Sequence, residues 1–404
     1  MRLYNTESAA IEPLRPDPLK PLRIYVCGIT PYDTTHLGHA FTYVTFDVLV
    51  RVLRASGHRV RYVQNVTDVD DDILRRAREM GTTWTELATR ETARYQRDMT
   101  GLNVLPPDVF PRASETIAPI IALVSRLERQ RQAYVREGNV YFRVSTRPDY
   151  GRLSRLPRSE MIALSRERGA DPDDPRKEDP LDFILWQKSQ PGEPAWDSPW
   201  GAGRPGWHVE CSAMALEHLG PQVDLHGGGA DLVFPHHESE IAQSESATGV
   251  RPFGRIWMHV GMLGYAGAKM SKSLRNLVLV SDLLREADAD SIRVTLLRRH
   301  YRESWEYRPE QLRDAAAWTA ELRQAAEAAG DGGGAASAAS ADVLDALEND
   351  LDTPAALDRL RDAVIARRPG WRAGARMLGL RLGSAPGADP LDPGQAGLRE
   401  GQQV

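Results

Sequence analysis

The run Ile24-Tyr-Val-Cys-Gly-Ile-Thr-Pro-Tyr-Asp-Thr-Thr-His-Leu-Gly-His39 constrains the fold more than any other stretch of this chain. Ile24 to Val26 reads as a buried strand. Gly28, Pro31 and Asp33 make a turn. Thr34 or Thr35 can then cap a helix that begins near His36 and carries Phe41, Val44, Val48 and Val50. A strand that turns into a helix N-terminus makes an anion site, because free backbone N–H groups and the helix dipole face the same ligand. His36 and His39 share one face of that first turn, and Gly38 lets a flat base or a phosphate approach the backbone closely. A second strand, Arg59 to Gln64, completes a right-handed βαβ unit with a parallel sheet. Ligands of such sheets bind beyond the carboxyl ends of the strands, where Cys27 and Asn65-Val-Thr67 fall.

The rest of the chain divides by pattern. Residues 1–22 hold prolines and little periodicity and are expected to lie across the surface. Acids at Asp70 and Asp71 suit the start of a helix over Asp72–Met80. Residues 73–135 read as mostly helical, Val140–Val144 as a short strand, and 158–180 as a polar insertion. Phe183–Trp186 is a buried strand, Glu210-Cys211-Ser212 opens a helix, and Val223–Asp231 runs into a glycine-rich turn. Phe234–Glu240 starts another helix and Ile256–His259 is the last strand of the sheet. A helix with Leu283, Leu284, Ile292, Val294, Leu296 and Leu297 follows, then an Ala/Glu-rich helix over 307–329. A Gly/Ala/Ser linker covers Gly330–Ala341, one or two short amphipathic helices cover 342–369, and a disordered tail runs from Gly383. The expected division is an extension (1–22), a parallel α/β domain (23–300, with an insertion around 73–180), a helical C-terminal domain (301–382) and the tail (383–404).

Composition narrows the function. No run of 18 apolar residues and no signal-peptide pattern at Met1 are found, so a soluble, cytoplasmic protein without membrane attachment is expected. Two cysteines, Cys27 and Cys211, do not make a disulfide framework; they read as thiols or metal ligands. A net charge of −5 argues against a broad nucleic-acid footprint. Cys27, Cys211, His236 and Glu240 are expected at three strand ends of one sheet. Their thiolates, imidazole and carboxylate suit Zn²⁺, and His236 and Glu240 are spaced to face one way on a helix. The other reading is that both cysteines are small buried apolar groups. Chemistry alone does not choose between His236 and His237.

The pair His36-Leu-Gly-His39 and Lys269-Met-Ser-Lys-Ser273 resembles the signature of class I aminoacyl-tRNA synthetases. Over about residues 23–310 the chain resembles cysteinyl-tRNA synthetase. The match is carried by Cys27-Gly28, Tyr62–Asp71, Gly206–Ser212, His226–Gly229, Asp231, Phe234–Glu238 and Lys269–Ser273. The same scaffold serves a paralogous family, the cysteine:glucosaminyl-inositol ligases of mycothiol biosynthesis. The resemblance implies a Rossmann-like adenylation domain followed by a small α-helical domain. It implies ATP with Mg²⁺, a zinc ion on Cys27, Cys211, His236 and Glu240, and adenylation of L-cysteine. His36, His39, Lys269 and Lys272 would serve the triphosphate. Thr42, Thr67, Trp207, Gly229 and Asp231 match positions that contact the aminoacyl adenylate. Gly28, Thr30, Asn65, Val66, Ala230, Leu263, Met270, Ser271 and Ser273 complete the nucleotide and substrate site that it implies.

Two acceptors remain open at this level, glucosaminyl-inositol and tRNA. The version of the histidine run found here, Glu167–Pro172, Gly264–Lys269 and Leu277–Ser281 resemble the sugar ligases. From Asp331 onward there are eight Arg, no Lys and eleven acids, a poor phosphate-binding surface. Glu240, Glu238–Ser244 and Asp182–Trp186 lean toward the synthetases. Arg275 departs from both families. The sugar amine is the expected acceptor, and a monomer is expected.

Overall fold

The computed structural model describes residues 1–32, 35–270, 276–329 and 338–383. Asp33, Thr34, Ser271, Lys272, Ser273, Arg275 and nearly all of the expected tail lie outside the described residues.

The chain opens with a hairpin, β1 (Arg2–Asn5) and β2 (Ala10–Pro13). Then come β3 (Leu22–Ile29), α1 (Leu37–Ala55) and β4 (Val60–Val66). Three helices follow: α2 (Asp71–Met80), α3 (Trp84–Gly101) and α4 (Ile117–Arg129). Strands β5 (Ala133–Arg136) and β6 (Asn139–Phe142), helix α5 (Arg158–Glu167), and strands β7 (Phe183–Lys188) and β8 (Gly203–Pro205) make an inserted layer. The chain returns through α6 (Trp207–Leu219), β9 (Leu225–Gly229), α7 (Glu238–Thr248) and β10 (Trp257–Val260). Next are β11 (Leu263–Tyr265), β12 (Ala268–Lys269), α8 (Val280–Glu286), α9 (Ala289–Leu297) and β13 (Trp305–Tyr307). The last helices are α10 (Pro309–Ala329), α11 (Ala338–Glu348), α12 (Thr353–Ile365) and α13 (Trp371–Met377).

The central sheet has the order β10-β9-β3-β4, every neighbour parallel. β3 connects through α1 to β4 on one side, while β9 lies on its other side. Strand order therefore reverses between β3 and β9, and the crevice beyond their carboxyl ends is where a ligand of such a sheet sits. β5 to β8 form a separate antiparallel sheet, so the strand at Phe183 belongs to the inserted layer.

Several expectations need correction. Residues 1–22 do not simply cross the surface: Leu3 is fully buried, β1 packs beside β10, and Asn5 Oδ1 accepts the Trp257 N–H at 3.0 Å. The cap of α1 is His36 itself, not a threonine. Its ring Nδ1 accepts the Gly38 N–H at 3.1 Å. Helix α6 opens at Trp207, which puts Cys211 in its second turn. Residues 338–341, expected as linker, begin α11; α11 and α12 are the two helices expected over 342–369, and α13 follows beyond that range. Their apolar faces join α1 and α9 in one continuous core. Asp47 on α1 anchors that junction. Its carboxylate pairs with Arg51 (2.9 Å) and Arg293 (2.6 Å), and both guanidiniums also reach backbone carbonyls near the ends of α3 and α13. Among the described residues no helix is long and apolar enough to cross a membrane.

Candidate functional site

The crevice starts at a bulge. Val26 pairs with Gln64 and Ile29 with Val66, so Cys27 and Gly28 together face Asn65. A bulge re-aims the side chain it carries, and here it accompanies the turn of Cys27 toward α6 and α7. Gly28 is required by the close approach of β4. A Cβ there would lie 1.6 Å from the Asn65 carbonyl oxygen, and the Gly28 N–H donates to Asn65 Oδ1 at 2.8 Å. Asn65 also donates to Thr67 Oγ1 at 3.2 Å, and the Thr67 N–H donates to the Ile29 carbonyl. Gly28→Ala is therefore expected to part β3 from β4 and displace Cys27. A loss of about 1–3 kcal/mol or more should show in the urea midpoint, together with loss of cysteine-dependent pyrophosphate exchange. An unchanged midpoint would refute the packing constraint.

Cys27 meets three helical side chains. Cys211 lies on α6, one helical turn after Trp207, so the two share a face. His236 sits in the turn 233–237, which kinks at Phe234 before α7, and Glu240 follows one turn later. The ligand atoms of Cys27, Cys211, His236 and Glu240 all lie within 4.8 Å of one another, and all four residues are buried. The set thus comes from one strand end and two helix starts rather than from three strand ends. Cys27 Sγ is 3.2 Å from Glu240 Oε1, and His236 Nε2 is 3.1 Å from the same oxygen. The choice between His236 and His237 has a geometric answer in two parts. His236 belongs with both cysteines. His237 belongs to an overlapping set of Cys27, His226, His237 and Glu240.

Electrostatics shape the cluster. Burial pushes the Cys27 thiol well up. Burial also opposes ionisation of Cys211, but its hydrogen bond with Cys27 and the neighbouring His236 outweigh it and bring the thiol to about 6. Burial disfavours a charged His236, yet Cys211 and Glu240 push its ring up to about 10. Glu240 is held well below the carboxylate range, against burial, by His226 and His236. Two thiols, an imidazole and a carboxylate converging without solvent form a soft, anionic donor set that fits Zn²⁺.

An outer layer orients these groups. His208 Nδ1 lies 3.0 Å from His236 Nδ1, which leaves His236 Nε2 facing the cluster, and Trp207 stacks on the His236 ring at 4.3 Å. His237 Nε2 is 3.3 Å from Cys27 Sγ. Its Nδ1 is 2.8 Å from His259, which reaches Thr6 at 2.7 Å. Such partners fix ring orientation around a metal site. His208, His226, His237 and His259 were not assigned from sequence. The available signal is a histidine within each of two consecutive strands, His226 in β9 and His259 in β10.

The nucleotide side is built on the α1 N-terminus. The His36 and His39 rings stack at 3.8 Å, and His39 Nδ1 accepts the His36 N–H at 3.4 Å. Thr42 sits one turn on and donates to the Gly38 carbonyl at 3.4 Å. Thr30 lies just past the end of β3, and the Val66 N–H donates to the Pro111 carbonyl. The lysine loop departs from β12, where Lys269 pairs with Gly264 of β11, next to the buried Leu263 and Met270. It returns at Asn276, whose Nδ2 donates to the Tyr265 carbonyl at 2.8 Å. Val278 then accepts the Leu37 N–H, and Leu279 bridges His36. The return of the loop is thus fixed beside the paired histidines, and its departure is fixed on β11. Gly229, Ala230 and Asp231 close the crevice at the end of β9; a Cβ on Gly229 would lie 2.6 Å from Asp231 Oδ1.

A parallel sheet that reverses beside Cys27, with two histidines at its first helix and the returning end of the lysine loop pinned next to them, defines a class I aminoacyl-tRNA synthetase catalytic domain. The profile of "tRNA synthetases class I (C) catalytic domain" matches residues 14–317. Among solved structures, methionyl-tRNA synthetase of Mycobacterium tuberculosis in complex with methionyl-adenylate superposes with a TM-score of 0.63 at 18% identity, covering 90% of this chain and 88% of its own. Closer in sequence are proteins named L-cysteine:1D-myo-inositol 2-amino-2-deoxy-alpha-D-glucopyranoside ligase. The one from Thermomonospora curvata is 48% identical over 91% of this chain and 88% of its own length. The one from Acidothermus cellulolyticus is 51% identical over 83% and 82%. The chain belongs to this family of ligases.

Proposed function

We propose that this protein activates L-cysteine with ATP and joins it to the amine of glucosaminyl-inositol. The observation that carries the reading is the buried set of Cys27, Cys211, His236 and Glu240 beside the α1 histidines, with the family of 48–51% identical ligases behind it. A carboxylate oxygen of cysteine attacks the α-phosphorus of ATP, and pyrophosphate leaves. The acceptor amine then attacks the acyl carbon, and AMP leaves as the amine loses a proton. No protein nucleophile is required. The chain contributes position and charge. His36 and His39 receive the phosphates at the helix N-terminus, with Lys269 and Lys272 assigned to the same phosphates by the family resemblance and Mg²⁺ accompanying the triphosphate. Thr67, Trp207 and Asp231 hold the aminoacyl part, and Gly28, Thr42 and Gly229 leave room for the backbone of the adenylate. Zinc, when bound by the four-residue set, would take the substrate sulfur as a thiolate and so distinguish cysteine from serine.

A single-turnover experiment tests the acceptor. Cysteinyl adenylate is formed on the enzyme with labelled cysteine, then mixed with glucosaminyl-inositol or with cysteine tRNA. Label on the sugar amine is expected. Label on the tRNA alone would overturn the reading in favour of a compact cysteinyl-tRNA synthetase, the reading toward which Glu240 as a fourth donor leans.

A further inference from the structure

Arg168 stands at the cap of α5, where its backbone N–H donates to the Leu164 and Ser165 carbonyls and Gly169 follows with φ of +90°. The left-handed glycine ends the helix sharply and fixes the point from which the side chain departs. Helix α5 packs on the turn 233–237 that carries His236. From there the guanidinium reaches the mouth of the crevice, with Nη1 at 3.6 Å from Asp231 Oδ2. The two side chains are 29% and 27% exposed. That separation is an ion pair but too long for a hydrogen bond. Among the described residues the Arg168 guanidinium donates no hydrogen bond, and its Nε is buried without a partner. Other guanidiniums of the inserted layer are engaged. Arg147 donates to Asp149 and Glu245 at 2.8 Å, and Arg176 to Asp174 at 2.8 Å.

A guanidinium carries five donors in a rigid fork. One held over a crevice with its donors unfilled is half of a hydrogen-bond set. We infer that Arg168, paired with Asp231, reads the ring hydroxyls of the acceptor and is a specificity-determining residue for the transfer step; this rests on the function proposed above. The paired charges offset each other, so a phosphate gains little there. A polyol suits the pair, since each hydroxyl accepts as well as donates. One ring hydroxyl can accept from Arg168 while its neighbour donates to Asp231. Asp231 is also on the adenylate side of the crevice, so a ring held there brings its amine toward the acyl carbon.

The test uses the full-length enzyme and the variants Arg168→Gln and Arg168→Lys. Three rates are measured: cysteine-dependent pyrophosphate exchange, transfer to glucosaminyl-inositol, and transfer to hydroxylamine, a small amine without ring hydroxyls. Arg168→Gln is expected to raise the KM for glucosaminyl-inositol roughly 10- to 100-fold, the loss of one or two hydrogen bonds to a charged group. Exchange and hydroxylamine transfer should stay within about 2-fold, which also shows that the variant is folded. Arg168→Lys, which keeps the charge without the fork, should recover only part of the affinity. An unchanged acceptor KM overturns the inference. So does an equal loss with hydroxylamine, or a loss of exchange, since either would place Arg168 on the adenylate or on ATP. If the wild type exchanges normally yet transfers nothing to glucosaminyl-inositol, the acceptor assignment itself has failed, which the wild-type arm alone reveals.

Discussion

Cys211→Ser is expected to empty the proposed zinc site and to remove the proposed preference for cysteine over serine. The hydroxyl replaces a soft thiolate with a hard, protonated oxygen, and only three donors of the set remain. Zinc affinity should fall more than about 100-fold, beyond what outer-layer changes cause, as measured by elemental analysis after dialysis against a chelator. Serine-dependent pyrophosphate exchange should then approach the residual cysteine-dependent rate. Zinc content equal to wild type would sink the metal assignment. Trp207 and His208 contact His236 and hold its ring in the variant too, although the imidazole also loses the thiolate that favours its charged form.

The second large effect is on stability. Asp47→Ala is expected to cost about 3–5 kcal/mol, because it strands two guanidiniums in the core. Asp47, Arg51 and Arg293 have fully buried side chains. The positive excess of this trio is met by carbonyls at Leu102, Asn103, Arg376 and Leu378, which collect the negative ends of α3 and α13. A urea midpoint within error of wild type would show that the trio contributes nothing. Burial alone would raise the Asp47 pKa, but Arg51 and Arg293 bring it below the usual value. Its folded pKa is therefore lower than its unfolded one, near ~3.9. The stabilisation it contributes is full above that value and is lost as pH falls through the folded one. Wild-type stability should show this component of decline below roughly pH 4, and the Asp47→Asn variant should lack it.

Which parts of this architecture could be read from sequence follows from the range of the interactions. The βαβ unit was legible because strand, turn and helix signals lie within one local run from Ile24 to Val66. The four donors were legible because Cys27, Cys211, His236 and Glu240 are rare residue types in dense stretches. What gathered them was not: Cys211 arrives from within a helix, and the bulge at Cys27-Gly28 depends on Asn65 across the sheet. Propensity favours threonine as the cap of α1. The structure uses His36, whose ring accepts a backbone N–H just as a hydroxyl would. The hairpin of residues 2–13 leaves little local signal, because its strands are four residues each and the groups that hold it, at Trp257 and Asp350, lie far along the chain. Arg168 lies in a polar stretch, and nothing local marks it as facing Asp231.

That hairpin also sets a timetable for synthesis. The Tyr4 N–H donates to Asp350 Oδ1 at 2.7 Å, across 346 positions, and the same carboxylate accepts from Tyr301 and Arg302. Leu3, beside it, is fully buried in the core that the C-terminal helices share. On a ribosome adding ~5–20 residues per second, the first strand of the nascent chain waits roughly 20–70 s for its last contact. Its contacts with β10 become possible earlier, once Trp257 and His259 have been made: the Thr6 N–H donates to the Trp257 carbonyl and Thr6 Oγ1 meets His259 at 2.7 Å. The opening residues are thus among the last to make all their contacts, and the segment made first supplies the outermost partner, Thr6, of the histidines around Cys27.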